Sequence, residues 1–457
     1  MFVDPISESD ALEHAAALAG LGRWAHAFEL SELGESARTA LDDVLANLLA
    51  VAAGGAATEE HAALVAAWDP EPGSATLLGG GTATVETAAW LNGVASVAME
   101  RDEGNRLTKG HPASQSFFAV LALAERLGSS GPDTLAALAV AYEVAARFGR
   151  ATDFATGVHT HGTFGVPGAA AGCARLLGLD AAGISSAIDA ACAMPPSTSW
   201  GPVLVGSSVR DQWVGAGNVA GIAAARFAAA RPGETVRGTL PGFGGSLGTV
   251  DPRLLVAGLG TETLIEHGYF KRHSSCAYTH APADAALLAR ERIAAAGATP
   301  ADIVAVEVST TAAGAALDAT DWTTRHGAYF SVPFAVASAL VHGDVAHSRS
   351  APSARGILLD TAAMITVTDG GIAPASATHR PARVTVTLRD GSSVVTEVPH
   401  PAGDADFTPF DRAAHAALLD DALVGVTSPA ASTVVAVVAA LPHAGRAGDQ
   451  FALLRSH

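Results

Sequence analysis

Charge is what this chain has least of. Only 16% of its 457 residues are Asp, Glu, Lys or Arg, and acids outnumber Lys and Arg by 45 to 27, for a formal net charge of −18. That excess repels a polyanion, so nucleic acid is excluded as a partner. Cysteine is nearly absent. Cys173, Cys192 and Cys276 stand far apart and odd in number, which leaves no disulfide framework and no zinc spacing, and suits a reducing compartment. The opening Met1-Phe2-Val3-Asp4-Pro5 has neither the basic nor the apolar segment of a signal peptide. No stretch of roughly 18 or more residues is free of the charges, glycines and polar residues that a membrane span excludes. These absences predict a cytoplasmic protein with no membrane partner.

What the chain does have is alanine, which dominates a hydrophobic content of 49%. Alanine has the best helix propensity and lets helices pack closely, so the composition predicts a large, mainly helical core. The length favours two domains over one. With so few charges to cover the surface, apolar area is left over and predicts an oligomer.

Taken in order, residues 8–54 carry helical spacing, broken at Gly34 and again at Gly54-Gly55. A loop over 71–82 leads to a buried helix over 84–99. Its end delivers Glu100, Asp102 and Glu103, followed by Lys109 and Gly110-His111-Pro112. Three carboxylates so close raise one another's pKa, and such clusters mark candidate sites. Pro112 suits a helix start, where a missing N–H costs nothing. The plainer alternative is a solvated loop between helices. Gly131-Pro132-Asp133 begins another helix, on which Glu143 and Arg147 read as a surface i,i+4 pair. His159-Thr160-His161 precedes a helix rich in small residues, with Gly178 as its stop and Asp180 as the next N-cap. A further helix is expected over 214–230.

Near residue 266 the texture changes. A helix over 283–296 is followed by a β-branched strand over 303–310, a helix over 331–341, strands over 365–368 and 383–389, and a hairpin into 393–398. Residues 411–441 return to Ala-rich helix and are expected to rejoin the first unit. The predicted organisation is therefore a helical part over 1–266, an α+β unit over 267–402, and a helical return over 403–457.

Two glycine-rich runs fail as nucleotide motifs. Gly79-Gly80-Gly81 lacks the following Lys-Ser/Thr, and in Gly242 to Gly248 the third glycine comes one residue late with no good strand before it. The polar islands that remain are Asp102, Glu103, Lys109 and His111; His159 and His161; Arg210; and Lys271, Arg272, His273, Cys276 and His280. Each lies beside a Gly, a Pro or a helix end. Imidazole suits proton transfer near neutral pH, and Arg and Lys suit carboxylates. Together they predict a pocket between the helical and α+β units. There a proton is removed next to a carboxylate and cations meet the developing charge. Alternatives stand beside this reading. Arg210 forms a structural ion pair with Asp211 or Glu86. Cys276 with His280 is half a metal site with no second half in view, so no metal is assigned. Cys276 is a nucleophile or, more commonly, a small buried thiol.

At these residues the chain resembles the MmgE/PrpD family, which includes 2-methylcitrate dehydratase, cis-aconitate decarboxylase and iminodisuccinate epimerase. The resemblance rests on D-E-G-N with G-H-P over 102–112, the small-residue run over 165–180, G-S-S-V-R over 206–210, Y-F-K-R-H-S-S-C-A-Y-T-H over 269–280 and Y-F-S-V-P-F-A-V over 329–336. It implies a large all-helical domain with an inserted smaller α+β lid, a homodimer, and no obligatory cofactor. It also implies a small di- or tricarboxylate substrate handled by a lyase or isomerase. The family's proton-transfer histidine falls on His111, the next loop's histidine on His159 and the lid histidine on His280, with Asp102 and Glu103 to orient a base. Arg210, Lys271, Lys109, His161, Arg272, His273 and Cys276 are the implied substrate-binding set. The chain departs from the pattern twice. Arg210 stands where the family has lysine, which keeps the charge but removes a proton donor. The acidic loop from Glu100 to Asn105 also replaces an Asp-Phe-Asp-Asp-Thr type loop. A non-catalytic protein that keeps the fold to bind polycarboxylates is the alternative.

Overall fold

The computed structural model describes residues 7–234, 237–370, 372–376 and 378–455, so the five N-terminal residues considered above lie outside it. The protein is mainly α-helical with small sheets. Helix starts follow the local sequence. Ser7, Thr58, Thr84, Ser130 and Asp180 each accept a first-turn amide, which gives an otherwise orphaned N–H a partner.

The Glu35–Ala56 helix is the axis of the helical body. It packs against Val85–Val97 and, from the far end of the chain, against Arg412–Ala422 and Ala431–Ala440. By length and composition it is apolar enough to cross a membrane, contrary to the sequence expectation. Most of it is buried inside the protein, the position of a core helix. Gly54 and Gly55 do not break it. A Cβ at Gly55 would lie 1.9 Å from the Ala95 carbonyl and one at Gly54 2.1 Å from that of Ala422, so both glycines are sites of close crossing. The Glu143–Arg147 pair is a second correction. Both side chains are buried, because Arg147 also donates to the carbonyls of Leu255 and Ala257 and Glu143 accepts the Leu264 amide. Two helices begin earlier than their apolar spacing suggested, at Val209 (to Ala230) and at His280 (to Ala295). Arg210 and His280 therefore sit in first helical turns.

The Gly165–Leu176 helix lies against Gly131–Ala151 and Val209–Ala230. Small residues allow this: a Cβ at Gly168 would stand 2.4 Å from the Ala141 carbonyl.

The α+β unit holds a four-stranded sheet in the order Ser393–Val398, Ala382–Leu388, Ile303–Thr310, Ile365–Asp369. The first two pairings are antiparallel and the last is parallel. The Val332–His342 and Arg355–Ala362 helices lie in the crossover that parallel pairing requires. Along the central strands Val306, Val308, Val384 and Val386 are buried, and the His280–Ala295 helix packs on the Ser393–Val398 and Ala382–Leu388 strands. Two hydrophobic cores result. One draws on residues 17–265 and 419–454. The other draws on 276–398 together with Val203 and Trp213.

The crossing at Gly168 generates a prediction. Gly168→Ala gains roughly 1 kcal/mol of helix propensity but overpacks the interface, for which about 1–3 kcal/mol is typical. A lower urea midpoint is expected. An unchanged or raised midpoint would show that the crossing has room for a methyl group.

Candidate active site

The chain leaves the Val85–Val97 helix through Glu100, whose φ of 53° lies in the left-handed region that few side chains adopt. This turn puts the carboxylate between two cations. Glu100 pairs with Arg210 from the Val209–Ala230 helix, and its Oε1 is 2.8 Å from Lys271 Nζ. Lys271 also reaches Asp102 Oδ1 at 3.2 Å, and Arg210 Nε lies 3.2 Å from Asp211. All five side chains are buried. Burial works to raise the Glu100 carboxyl, but Arg210 and then Lys271 hold it well below the carboxylate range. Burial works the other way on Lys271, where Asp102 and Glu100 overcome it and raise the ammonium.

A short antiparallel pairing of Gly104–Asn105 with Gly268–Tyr269 ties the acidic loop to the segment that carries Lys271. Gly104 is required there, since a Cβ would meet the Tyr269 ring at 2.2 Å.

Three imidazoles gather beside this cluster. The His111 and His161 rings are 5.1 Å apart and those of His159 and His161 4.6 Å apart, each pair edge to face. Their partners fix their tautomers. His111 Nδ1 lies 2.6 Å from the Glu103 carbonyl, which can only accept, and 3.3 Å from Asp102 Oδ2. Nδ1 therefore carries the proton and Nε2 keeps a lone pair. His161 Nδ1 faces Arg210 Nη1 at 3.2 Å, and guanidinium can only donate, so the His161 proton sits on Nε2. His159 Nδ1 accepts the His161 backbone N–H at 3.2 Å, which again places the proton on Nε2. All three rings favour the neutral form. Burial lowers His111, with Asp102 pulling the other way. Burial and Arg210 bring His159 down to about 3, and burial and His159 drive His161 well below its ordinary value.

These groups border a cavity of about 520 Å³ between the helical body and the α+β unit. Of the residues expected from sequence, Lys109, His111, His159, His161, Arg210 and Cys276 line it. Asp102, Glu103 and Lys271 stand behind that lining, in contact with His111 or its loop. Asp102 accepts from Ser114 as well as facing His111 and Lys271. Glu103 orients His111 with its backbone carbonyl, not its side chain. Its carboxyl accepts the Ala113 amide, and burial pushes it up to about 8, so it is protonated at neutral pH. Arg210 pairs with Asp211, whereas Glu86 pairs with Arg226. Burial, with Glu100, pushes the Cys276 thiol up to about 11, the state of an unreactive thiol.

Besides Asp102, Glu103 and Lys271, three more expected residues lie off the cavity lining. The Arg272 side chain is 55% exposed and points toward Asp284, which also holds His273 at 2.9 Å. His280 packs edge to face on His273 and bonds the Ser275 carbonyl through Nε2. Sequence reading placed Glu100 in the acidic cluster and Tyr269 in a family motif without naming either as a site residue, and it passed over Arg380; all three line the cavity. Arg380 has its own sequence signal, a Thr378-His379-Arg380 polar island just before a strand.

Asp102, His111 and His161 bring ligand atoms within 4.8 Å of one another, the spacing of a cation site. The donor chemistry does not fit one. Arg210 occupies His161 Nδ1, the proton is left on its Nε2, and Lys271 already neutralises Asp102.

Compared with known families, residues 19–230 match the MmgE/PrpD N-terminal domain and residues 273–437 the MmgE/PrpD C-terminal domain. No curated protein matches the chain.

The Glu103 carboxyl makes stability depend on pH. A carboxyl whose pKa is raised on folding binds its proton more tightly in the folded state. Stability is therefore lost as pH rises from the unfolded value near 4.5 through the folded value of about 8. Glu103→Gln keeps the acceptor for Ala113 and removes the titration. Its unfolding free energy should be flatter between those pH values than that of the wild type. Parallel profiles for the two proteins would assign the slope to another group.

Proposed function

Because the chain belongs to the MmgE/PrpD family, we propose that it is a cofactor-independent lyase or isomerase of a small di- or tricarboxylate. Proton abstraction α to a carboxylate is the step common to its dehydratase and epimerase versions. The observation that carries this reading is the tautomer pattern: one imidazole has a free lone pair, and two beside it carry N–H groups on the corresponding nitrogen.

His111 Nε2 takes the α-proton, and the C–H electron pair passes into an enolate. The ring becomes an imidazolium whose Nδ1–H stays on the Glu103 carbonyl, with the Asp102 carboxylate 3.3 Å away to stabilise the new charge. Desolvation lowers the His111 pKa and Asp102 raises it, which balances a base against a later acid. The Nε2–H groups of His159 and His161 are neutral donors available to the enolate oxygen in a site with little water, where fixed dipoles act most strongly. The enolate pair then expels a β-hydroxyl, which leaves as water with a proton, or is reprotonated on the opposite face. In a decarboxylase version CO₂ leaves first and the same donors protonate the carbanion. In this reading the 267–402 unit is an inserted lid over the helical parts 1–266 and 403–457, and the protein works as a cytoplasmic homodimer. The two separate hydrophobic cores, with the cavity between them, support that division.

The test is solvent deuterium uptake into a panel of di- and tricarboxylates, read by NMR. Wild-type protein should label the α-carbon of at least one of them. His111→Ala should cut that rate by about 10²-fold or more while the thermal melt is retained. Undiminished labelling in a folded His111→Ala protein would remove the base from the mechanism.

A further inference from the structure

The cations around the cavity differ in how far their charge is already neutralised. Arg210 and Lys271 share Glu100, Asp102 and Asp211. Arg106 pairs with Asp404 and Asp406. The two remaining cations on the lining, Lys109 and Arg380, have no carboxylate partner among the described residues. Lys109 Nζ donates to the Thr152 carbonyl at 2.8 Å and lies over the Phe154 ring at 5.9 Å from its centroid, which leaves it N–H groups with no hydrogen-bond acceptor among the described residues. The Arg380 guanidinium lies over the rings of Tyr269 and Tyr278, 4.9 and 5.7 Å from their centroids. Stacking of this kind holds the plane of the guanidinium and leaves its edge N–H groups for a carboxylate.

We propose that Lys109 and Arg380 are the two arms of a carboxylate clamp, and that the cavity selects a dicarboxylate over a mono- or tricarboxylate. This rests on the proton-transfer reading above only in taking the cavity as the substrate site. The two arms come from different units. Lys109 belongs to the loop that ends in His111, and Arg380 to the segment entering the Ala382–Leu388 strand. A ligand held by both spans the cavity, with its middle carbons beside the histidine two residues from Lys109. The deeper wall has no charge left for a third carboxylate, because three buried acids already surround Arg210 and Lys271 and Glu100 itself faces the cavity. Like charge there disfavours a tricarboxylate, and one carboxylate fills only half of the clamp.

Titration calorimetry on the full chain with succinate, butyrate and tricarballylate tests this. Succinate should bind at least tenfold more tightly than either of the others. Arg380→Gln and Lys109→Gln should each weaken succinate at least tenfold with the melting temperature unchanged. Arg380→Lys keeps the charge without the fork and should fall between Gln and wild type, which also serves if the Gln variant is poorly folded. Tricarballylate binding as tightly as succinate, or succinate binding within twofold of wild type in Arg380→Gln, would overturn the clamp. Failure of the catalytic reading looks different: succinate would bind as expected while no carboxylate in the panel exchanged its α-proton. Exchange confined to tricarboxylates would sink the clamp and leave the catalysis standing.

Discussion

Everything at the site depends on Glu100 being ionised and shared between Arg210 and Lys271. The two cations arrive on segments 61 positions apart in the chain, one from the first turn of a long helix and one just after the Gly268–Tyr269 strand. Neither is exposed. Taking an ion out of water costs several kcal/mol, so each cation requires the carboxylate between them. The cluster is thus less a source of net stability than a constraint on geometry. If Glu100 is out of place, two buried charges lose their partner. The left-handed backbone at Glu100 is part of the same constraint, since strain of about 1–3 kcal/mol persists only where the surroundings demand it.

That constraint sets the protonation of the histidines. Burial disfavours imidazolium first, and positive charge on Arg210 and Lys271 adds to it, so the three rings favour the neutral form. A neutral imidazole is useful for acid–base work only if its proton is on the right nitrogen. Here that choice is made by groups with a single option. A carbonyl can only accept, and a guanidinium or a backbone N–H can only donate. His111 consequently differs from its two neighbours in which nitrogen carries the proton and which keeps the lone pair. The residue that orients it does so through its main chain, which explains why Glu103 can hold a protonated, inert carboxyl without harm to the site.

Much of this was readable from the chain. The helix starts near 84 and 131, the N-cap at Asp180, the β-branched strand Ile303–Thr310 and the hairpin into 393–398 are local features, and local features fix local structure. The polar islands that converge on the cavity stood out because charge is so rare elsewhere. What could not be read was which partner each charge meets. Glu143 and Arg147 have surface spacing, yet their helix is covered by residues 255–264. Arg272 sits between Lys271 and His273 in an informative stretch, but the chain bends there and its side chain turns out to solvent. Arg380 drew no notice because its polar island, Thr378-His379-Arg380, carries no charge partner or motif nearby in the sequence to say what it faces. Its setting comes from two tyrosines more than 100 residues earlier in the chain.

The two departures that the sequence resemblance implies, arginine at 210 and the acidic loop that opens with Glu100, read separately as losses. Structurally they are one change. Arg210 uses Nη1 on His161 and Nη2 on the Val97 carbonyl and on Glu100, and its Nε edge faces Asp211 as an ion pair without a hydrogen bond. A lysine has three donors at a single point and cannot span partners on four sides; the planar fork of arginine can. In exchange, arginine cannot release a proton at any working pH, so a charge placed there permanently needs a permanent counter-charge. Glu100 supplies it, held ionised by the same pair of cations. Arginine at this position therefore serves as the group that sets the His161 tautomer, and in the proposed mechanism proton transfer falls to the imidazoles. The acidic loop is the condition under which that substitution can be buried at all.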